Sequence, residues 1–178
     1  MTETVSPTSE HGSYEQFLDE FRQTVESAAV RLREISDADA SKVAAGAWSS
    51  KQVLGHLIDS AANNHQRLVR GQFTDHLVFP GYDGDQWVDA QKYTDERWAD
   101  LIDLWRAYNL HLLHVVSLIP EPVRLKRRDE HALDEIAFVT VERSTPTTLD
   151  YLIRDYLVHL KHHLDQIWST AWPTPTKN

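Results

Sequence analysis

An all-α four-helix bundle, with a long loop and a short extended arm between helices, is the fold class that three features of the chain predict. Apolar residues recur at three- and four-residue steps in four separate stretches, the period of an amphipathic helix. The 178 residues include only six Gly and seven Pro, so long helices are joined by a modest number of turns. Six Trp, six Tyr and five Phe supply core material for one domain of this length. Four such helices with a long crossover pack as a bundle, and bundles of this kind build sites from facing side chains in their core.

Residues 1–13 are rich in Ser, Thr and Glu and read as a disordered tail; residues 14–172 form the single domain, and 173–178 a second tail. The first helix runs from Tyr14 to about Ile35 on Phe17, Leu18, Phe21, Val25, Ala28, Ala29 and Leu32. A small, polar linker follows, from Ser36 to Ala47. Ser49 with Gln52 three residues later is a capping-box pattern, and Trp48 before it can staple onto Val53. The second helix, about Ser50 to Arg70, buries Val53, Leu54, Leu57, Ile58, Ala61 and Leu68, and Gly71 ends it. His56 sits two turns in, with Asp59 and Asn63 at i+3 and i+7 on its face.

Between Gln72 and Thr94 lies a long irregular connection carrying Tyr82 and Trp87. Its length suits a lid over a site, with Tyr82 and Trp87 as cofactor- or substrate-covering residues, or a crossover whose aromatics cap the core. The third helix, about Asp95 to Leu118, shows Trp98, Leu101, Ile102, Trp105, Leu112, Leu113 and Val116 on one face, and Pro120 closes it. Ile136 to Val141 is β-rich and reads as a short strand in a hairpin or extended arm. Thr147 or Thr148 caps the last helix, whose apolar face runs from Leu149 to Trp168 until Pro173 ends it.

Charge and composition exclude several classes of function. A net charge of −9 opposes nucleic-acid binding, because phosphate contacts need a basic face. No window reads as a membrane span, and the polar start, Met1 to Pro7, has no apolar signal core. A cytoplasmic location is therefore expected. Cysteine is absent, which excludes disulfides, zinc–thiolate sites and a cysteine nucleophile.

Of ten histidines, His11, His65, His76 and His131 read as surface or hydrogen-bonded residues. His111 and His114 lie between leucines and read as packing or surface. His159 and His163 form an H-x-x-x-H pair, and residues at i and i+4 stand one above the other on a helix face. Two imidazoles so placed can chelate one transition metal, with His56 from the second helix as third ligand. His162 points about 100° away and stays outside the site. Three neutral imidazoles suit Zn, Ni, Fe or Cu alike. Three protein ligands leave coordination positions open, the mark of a catalytic site. Asp59, Asn63 and Gln166 could orient imidazoles or water from behind the ligands, or Asp59 and Asn63 could be solvated. By spacing alone H-x-x-x-H is a weak signal, and the H-E-x-x-H of zinc peptidases is missing.

Taken together, two stretches resemble the DinB-like superfamily. Trp48-Ser49-Ser50-Lys51-Gln52-Val53-Leu54-Gly55-His56-Leu57-Ile58-Asp59-Ser60 is similar to its helix-two signature. Thr148-Leu149-Asp150, followed by His159-Leu160-Lys161-His162-His163-Leu164-Asp165-Gln166-Ile167, is similar to its helix-four signature. The loop Gly81 to Trp87 resembles the YfiT-like branch, metal-dependent hydrolases akin to the bacillithiol S-transferases. The resemblance spans roughly residues 14–170 and implies an up-down-down-up bundle, often a homodimer. It also implies one divalent ion, usually zinc or nickel, on His56, His159 and His163. It further implies a low-molecular-weight thiol (bacillithiol, mycothiol or glutathione) held as metal-bound thiolate for S-transfer to small electrophiles. Hydrolysis by metal-bound hydroxide is the alternative within enzymes. Outside enzymes, the alternative is a non-catalytic metal-binding, stress-associated protein. The segment Arg124 to Arg143 departs from the relatives. Its Arg124, Lys126, Arg127 and Arg128 could meet an anionic substrate or thiol cofactor, or form a solvated loop.

Overall fold

The computed structural model describes residues 13–43 and 47–171, with side chains through Ser169. The tails expected at 1–13 and 173–178 lie outside the described residues except for Ser13, which belongs to the domain as the cap of its first helix. Four long helices make the bundle: α1 (Tyr14–Leu32), α3 (Ser50–Arg70), α5 (Trp98–Ser117) and α8 (Leu149–Ala171). Short helices sit in the connections: α2 (Asp37–Ala40), α4 (Gly84–Gln91), α6 (Glu121–Arg124) and α7 (Leu133–Ile136). α1 packs on α5 and α8, and α3 packs on the same two. The order around the bundle is therefore α1, α5, α3, α8, and the α1–α3 and α5–α8 connections each cross between opposite corners.

Local rules account for the long helices. Ser49 and Gln52 form the expected capping box at the start of α3. Ser13 and Gln16 form a second one at the start of α1. The apolar faces meet in one core around Phe21, Leu57, Trp105, Ile102 and Leu160, all fully buried. Tertiary ties then fix the ends. Asp37, in the small, polar linker, accepts the Trp98 N–H at the start of α5 through Oδ1 at 2.8 Å. Buried Lys51 donates to the Glu96 carbonyl at 2.7 Å and pairs with Asp37, clamping the same corner.

Two connections differ from the sequence reading. The stretch 72–94 is not irregular throughout, since it holds α4 and a 3₁₀ turn at Tyr93–Asp95, both packed on α3. Ile136 to Val141 forms no strand. Among the described residues the only β pairing is two isolated bridges, Leu77 with His131 and Arg128 with Thr147. Ile136 instead closes the turn of α7, and beyond it the chain runs extended at Ala137. The Phe138 and Val139 N–H groups donate to the two Asp155 carboxylate oxygens at 2.8 and 2.7 Å. A carboxylate on α8 thus takes the place of a partner strand, and the segment is an arm lying on that helix.

The basic cluster is also resolved. Arg128 is buried and donates to the carbonyls of Gly71, Thr74, Val123 and Lys126. Arg124 is buried against Asp150, with its guanidinium 3.6 Å from the centre of the Tyr14 ring. Lys126 pairs with Asp75. These three cations staple the crossover together, and Arg127, the fourth of the cluster, is exposed.

Candidate metal centre

His56 projects from the second turn of α3, and His159 and His163 project from successive turns of α8. The packing of these two helices brings the three rings together. Ring centres are 4.4 Å apart for His159 and His163, 4.6 Å for His56 and His163, and 5.3 Å for His56 and His159. One ring nitrogen from each lies within 4.8 Å of the other two. His162 remains outside as expected, exposed beside Phe138 and Gln166.

The polar contacts behind the rings orient them. His159 Nδ1 lies 3.3 Å from Ser60 Oγ, and His163 Nδ1 lies 2.8 Å from Gln166 Oε1. Both contacts are satisfied when the Nδ1–H donates to the oxygen, which leaves each Nε2 lone pair free for a metal. His56 Nε2 stands 3.3 Å from His159 Nε2. Metal–nitrogen bonds of about 2.05 Å at a tetrahedral angle separate two ligand nitrogens by about 3.3 Å. His56 Nδ1 is buried without a hydrogen-bond partner.

Electrostatics favour the neutral, ligating form. Burial, and then the nearby His163, push His56 down to about 4. Burial, followed by His163 and His56, pushes His159 down to about 3. Burial also lowers His163, partly opposed by its bond to Gln166. Neutral imidazoles from two helices, His159 and His163 oriented by outer hydrogen bonds and His56 at tetrahedral spacing from His159, fit a divalent ion.

Asp59 and Asn63 do not take the orienting role expected of them. Asp59 accepts hydrogen bonds from Gln91 at 2.6 Å and from the Tyr93 hydroxyl at 2.7 Å, and so holds the α4 segment down. Asn63 donates to the Asp59 carbonyl on its own helix. The role falls to Ser60, which sequence reasoning missed although it lies at i+4 from His56, and to Gln166. Of the two lid residues, Tyr82 is half-buried with its ring 6.3 Å from His56. Trp87 is 40% exposed and packs against Tyr82 with ring centres 4.8 Å apart and planes tilted by 48°, one step further from the site. Gly84 closes over His56: a Cβ there would stand 3.2 Å from the imidazole, tighter than ordinary packing. Trp48, expected to staple onto Val53, has its ring 5.2 Å from His56.

Beside the rings lies a cavity of about 250 Å³, lined among others by His56, His159, Ser60, Tyr82, Arg67 and Asp155. Tyr82 stays protonated there, since burial pushes its hydroxyl up to about 12. Arg67 was also missed, although an i+11 spacing from His56 is close to three whole turns and keeps one face. His163 borders a separate recess with Trp48 and Gln166.

No protein-family model matches the chain, and no curated protein matches it in sequence. In fold it is similar to a solved structure, YfiT from Bacillus subtilis, described as a probable metal-dependent hydrolase with an unusual four-helix bundle topology. The two agree with a TM-score of 0.70 at 18% sequence identity, over 93% of this chain and 91% of that one. The fold is thus the YfiT-like four-helix bundle, the architecture that the α3 and α8 segments resemble.

Proposed function

We propose that this protein is a divalent-metal-dependent enzyme, and that its reaction is hydrolysis of a small substrate held in the cavity beside the three histidines. The observation that carries the proposal is the His56–His159 pair, with Nε2 atoms 3.3 Å apart and His163 alongside. Its fold neighbour YfiT, described as a probable metal-dependent hydrolase, supports the same reading.

A bound divalent ion supplies Lewis acidity and, for zinc, lowers the pKa of a coordinated water towards about 7. The chain's own residues do the rest. His56, His159 and His163 would hold the ion through ring nitrogens, and three protein ligands would leave a coordination position for water or substrate. Ser60 and Gln166 fix the ring orientations. The Tyr82 hydroxyl, held protonated by burial, is a hydrogen-bond donor at the cavity wall. Gly84 at the start of α4 and Phe138 of the arm border the cavity on either side.

Elemental analysis of purified variants tests the ligand set. His159→Ala and His163→Ala should each lose stoichiometric metal, whereas His162→Ala should keep it; equal loss from all three would rule out this set. The reaction class is tested with chromogenic esters and electrophiles, with and without bacillithiol, mycothiol or glutathione. Metal-dependent, thiol-independent ester cleavage supports hydrolysis. Metal-dependent consumption of thiol would replace it with S-transfer, and inactivity in both assays would leave a binding role.

A further inference from the structure

The cavity beside the histidines carries an unmatched buried cation. Three arginines are almost fully buried: Arg67 at 5% exposure, Arg124 at 5% and Arg128 at 2%. Arg124 has Asp150 against it, and Arg128 has four carbonyls. Arg67 has neither. Of the five N–H donors that a guanidinium carries, one Nη2–H reaches an acceptor, the Pro80 carbonyl at 3.1 Å. Among the described residues Arg67 forms no salt bridge, and Tyr82, not a carboxylate, is the ionisable group that bears on it. An arginine this buried keeps its charge, and its remaining N–H donors are open to a partner in the cavity that it lines.

We infer that Arg67 is a substrate-binding residue, and that its guanidinium takes the carboxylate of a small anionic substrate seated between it and the His56 and His159 rings. Its side chain and those of His56 and His159 line the same cavity. The planar fork of a guanidinium matches a carboxylate through two parallel N–H···O bonds. A monoanion is favoured over a phosphate dianion, because Asp155 and Glu135 also line the cavity. Asp155 is committed to the Phe138 and Val139 N–H groups, and Glu135 pairs with Arg143, so neither neutralises Arg67. A volume of about 250 Å³ lies below the roughly 300 Å³ where pockets for drug-sized ligands begin, so the ligand is small. The exposed Phe138 ring and half-buried Ile136 at the cavity wall suit an apolar group attached to that carboxylate.

This inference rests on the metal-dependent reading for its chemistry, but its test does not. Benzoate, benzamide and inorganic phosphate are titrated into chelator-treated, metal-free protein, and binding is followed by calorimetry and by the Arg67 Nε–H NMR resonance. Benzoate should bind and shift that resonance, while benzamide and phosphate bind at least ten times more weakly. Arg67→Gln should weaken benzoate by about 10- to 100-fold, the worth of a charge-assisted hydrogen bond. Arg67→Lys, which keeps the charge and loses the fork, should fall between. Equal binding of benzoate and benzamide, tighter binding of phosphate, or wild-type affinity in a folded Arg67→Gln would overturn the assignment. Should Arg67→Gln fail to fold, the benzoate–benzamide pair on the wild-type protein still decides. Stoichiometric zinc without benzoate binding sinks this inference alone, and benzoate binding without zinc sinks the metal reading alone.

Discussion

A histidine that must ligate a metal has to surrender its proton, and burial does that at His56 and His159. In unfolded chain a histidine titrates near 6.5, whereas in the folded, metal-free site His56 is pushed down to about 4 and His159 to about 3. Between these values the unfolded chain binds protons that the folded chain refuses. Stability of the metal-free protein therefore falls as pH falls below about 6.5, by roughly 2 kcal/mol for each of the two rings by pH 5. Asp59 and Asp155, whose carboxyls burial raises, act in the opposite direction at more acidic pH. Urea midpoints of metal-free protein at pH 7 and pH 5 measure the drop. A drop of the same size in His56→Gln would show that His56 does not contribute. Ser60, Gln166 and Asp59 show how finely roles divide here. Ser60 and Gln166 hold imidazoles, while Asp59, adjacent to Ser60 on α3, holds a tyrosine.

Among the elements, the α4 segment depends on one close approach. A Cβ on Gly55 would stand 2.0 Å from Tyr93 Cδ2, so only glycine lets the Tyr93 ring lie against α3 and reach Asp59. Gly55→Ala should cost about 1–3 kcal/mol through overpacking and release residues 84–95 from α3. Hydrogen exchange would show faster amides in that segment, together with a lower thermal midpoint. Unchanged exchange there would mean that Tyr93 finds another seat at no cost. The arm at Phe138 depends on Asp155 in a comparable way, with a carboxylate standing in for a strand. The β-rich composition of 136–141 was legible, and an extended chain follows. No strand formed, because the Phe138 and Val139 N–H groups donate to the Asp155 carboxylate and not to the carbonyls of a neighbouring strand.

For the whole molecule, the histidines tie together helices that begin about a hundred residues apart along the chain. His56 and His159 are separated by 103 positions, and an ion between them would crosslink α3 to α8. A ligand that binds the folded state alone adds about 2.7 kcal/mol at 100 times its dissociation constant. For a chain of this size that is a rise of about 5–10 °C in thermal midpoint. Thermal scans with saturating zinc should show such a rise in the wild-type protein and none in His159→Ala. A zinc-independent midpoint in the wild type would remove the crosslink from the account. The site is well placed for this role, since α3 and α8 are bundle neighbours while α4 and the arm close over it.

The four long helices, their apolar faces, the Ser49 cap and the exclusion of His162 were all readable along the chain. Each depends on spacing within about one or two turns, which backbone geometry fixes before any tertiary contact forms. The Ser13–Gln16 cap carried the same kind of signal. What only the folded molecule decided is which neighbours lie beyond each helix face. Packing set Ser60, not Asp59, behind His159, turned three basic residues of the crossover into staples, and buried Arg67 beside the histidines. Those outcomes depend on side chains that are distant in sequence but close in space, and helical periodicity holds no information about them.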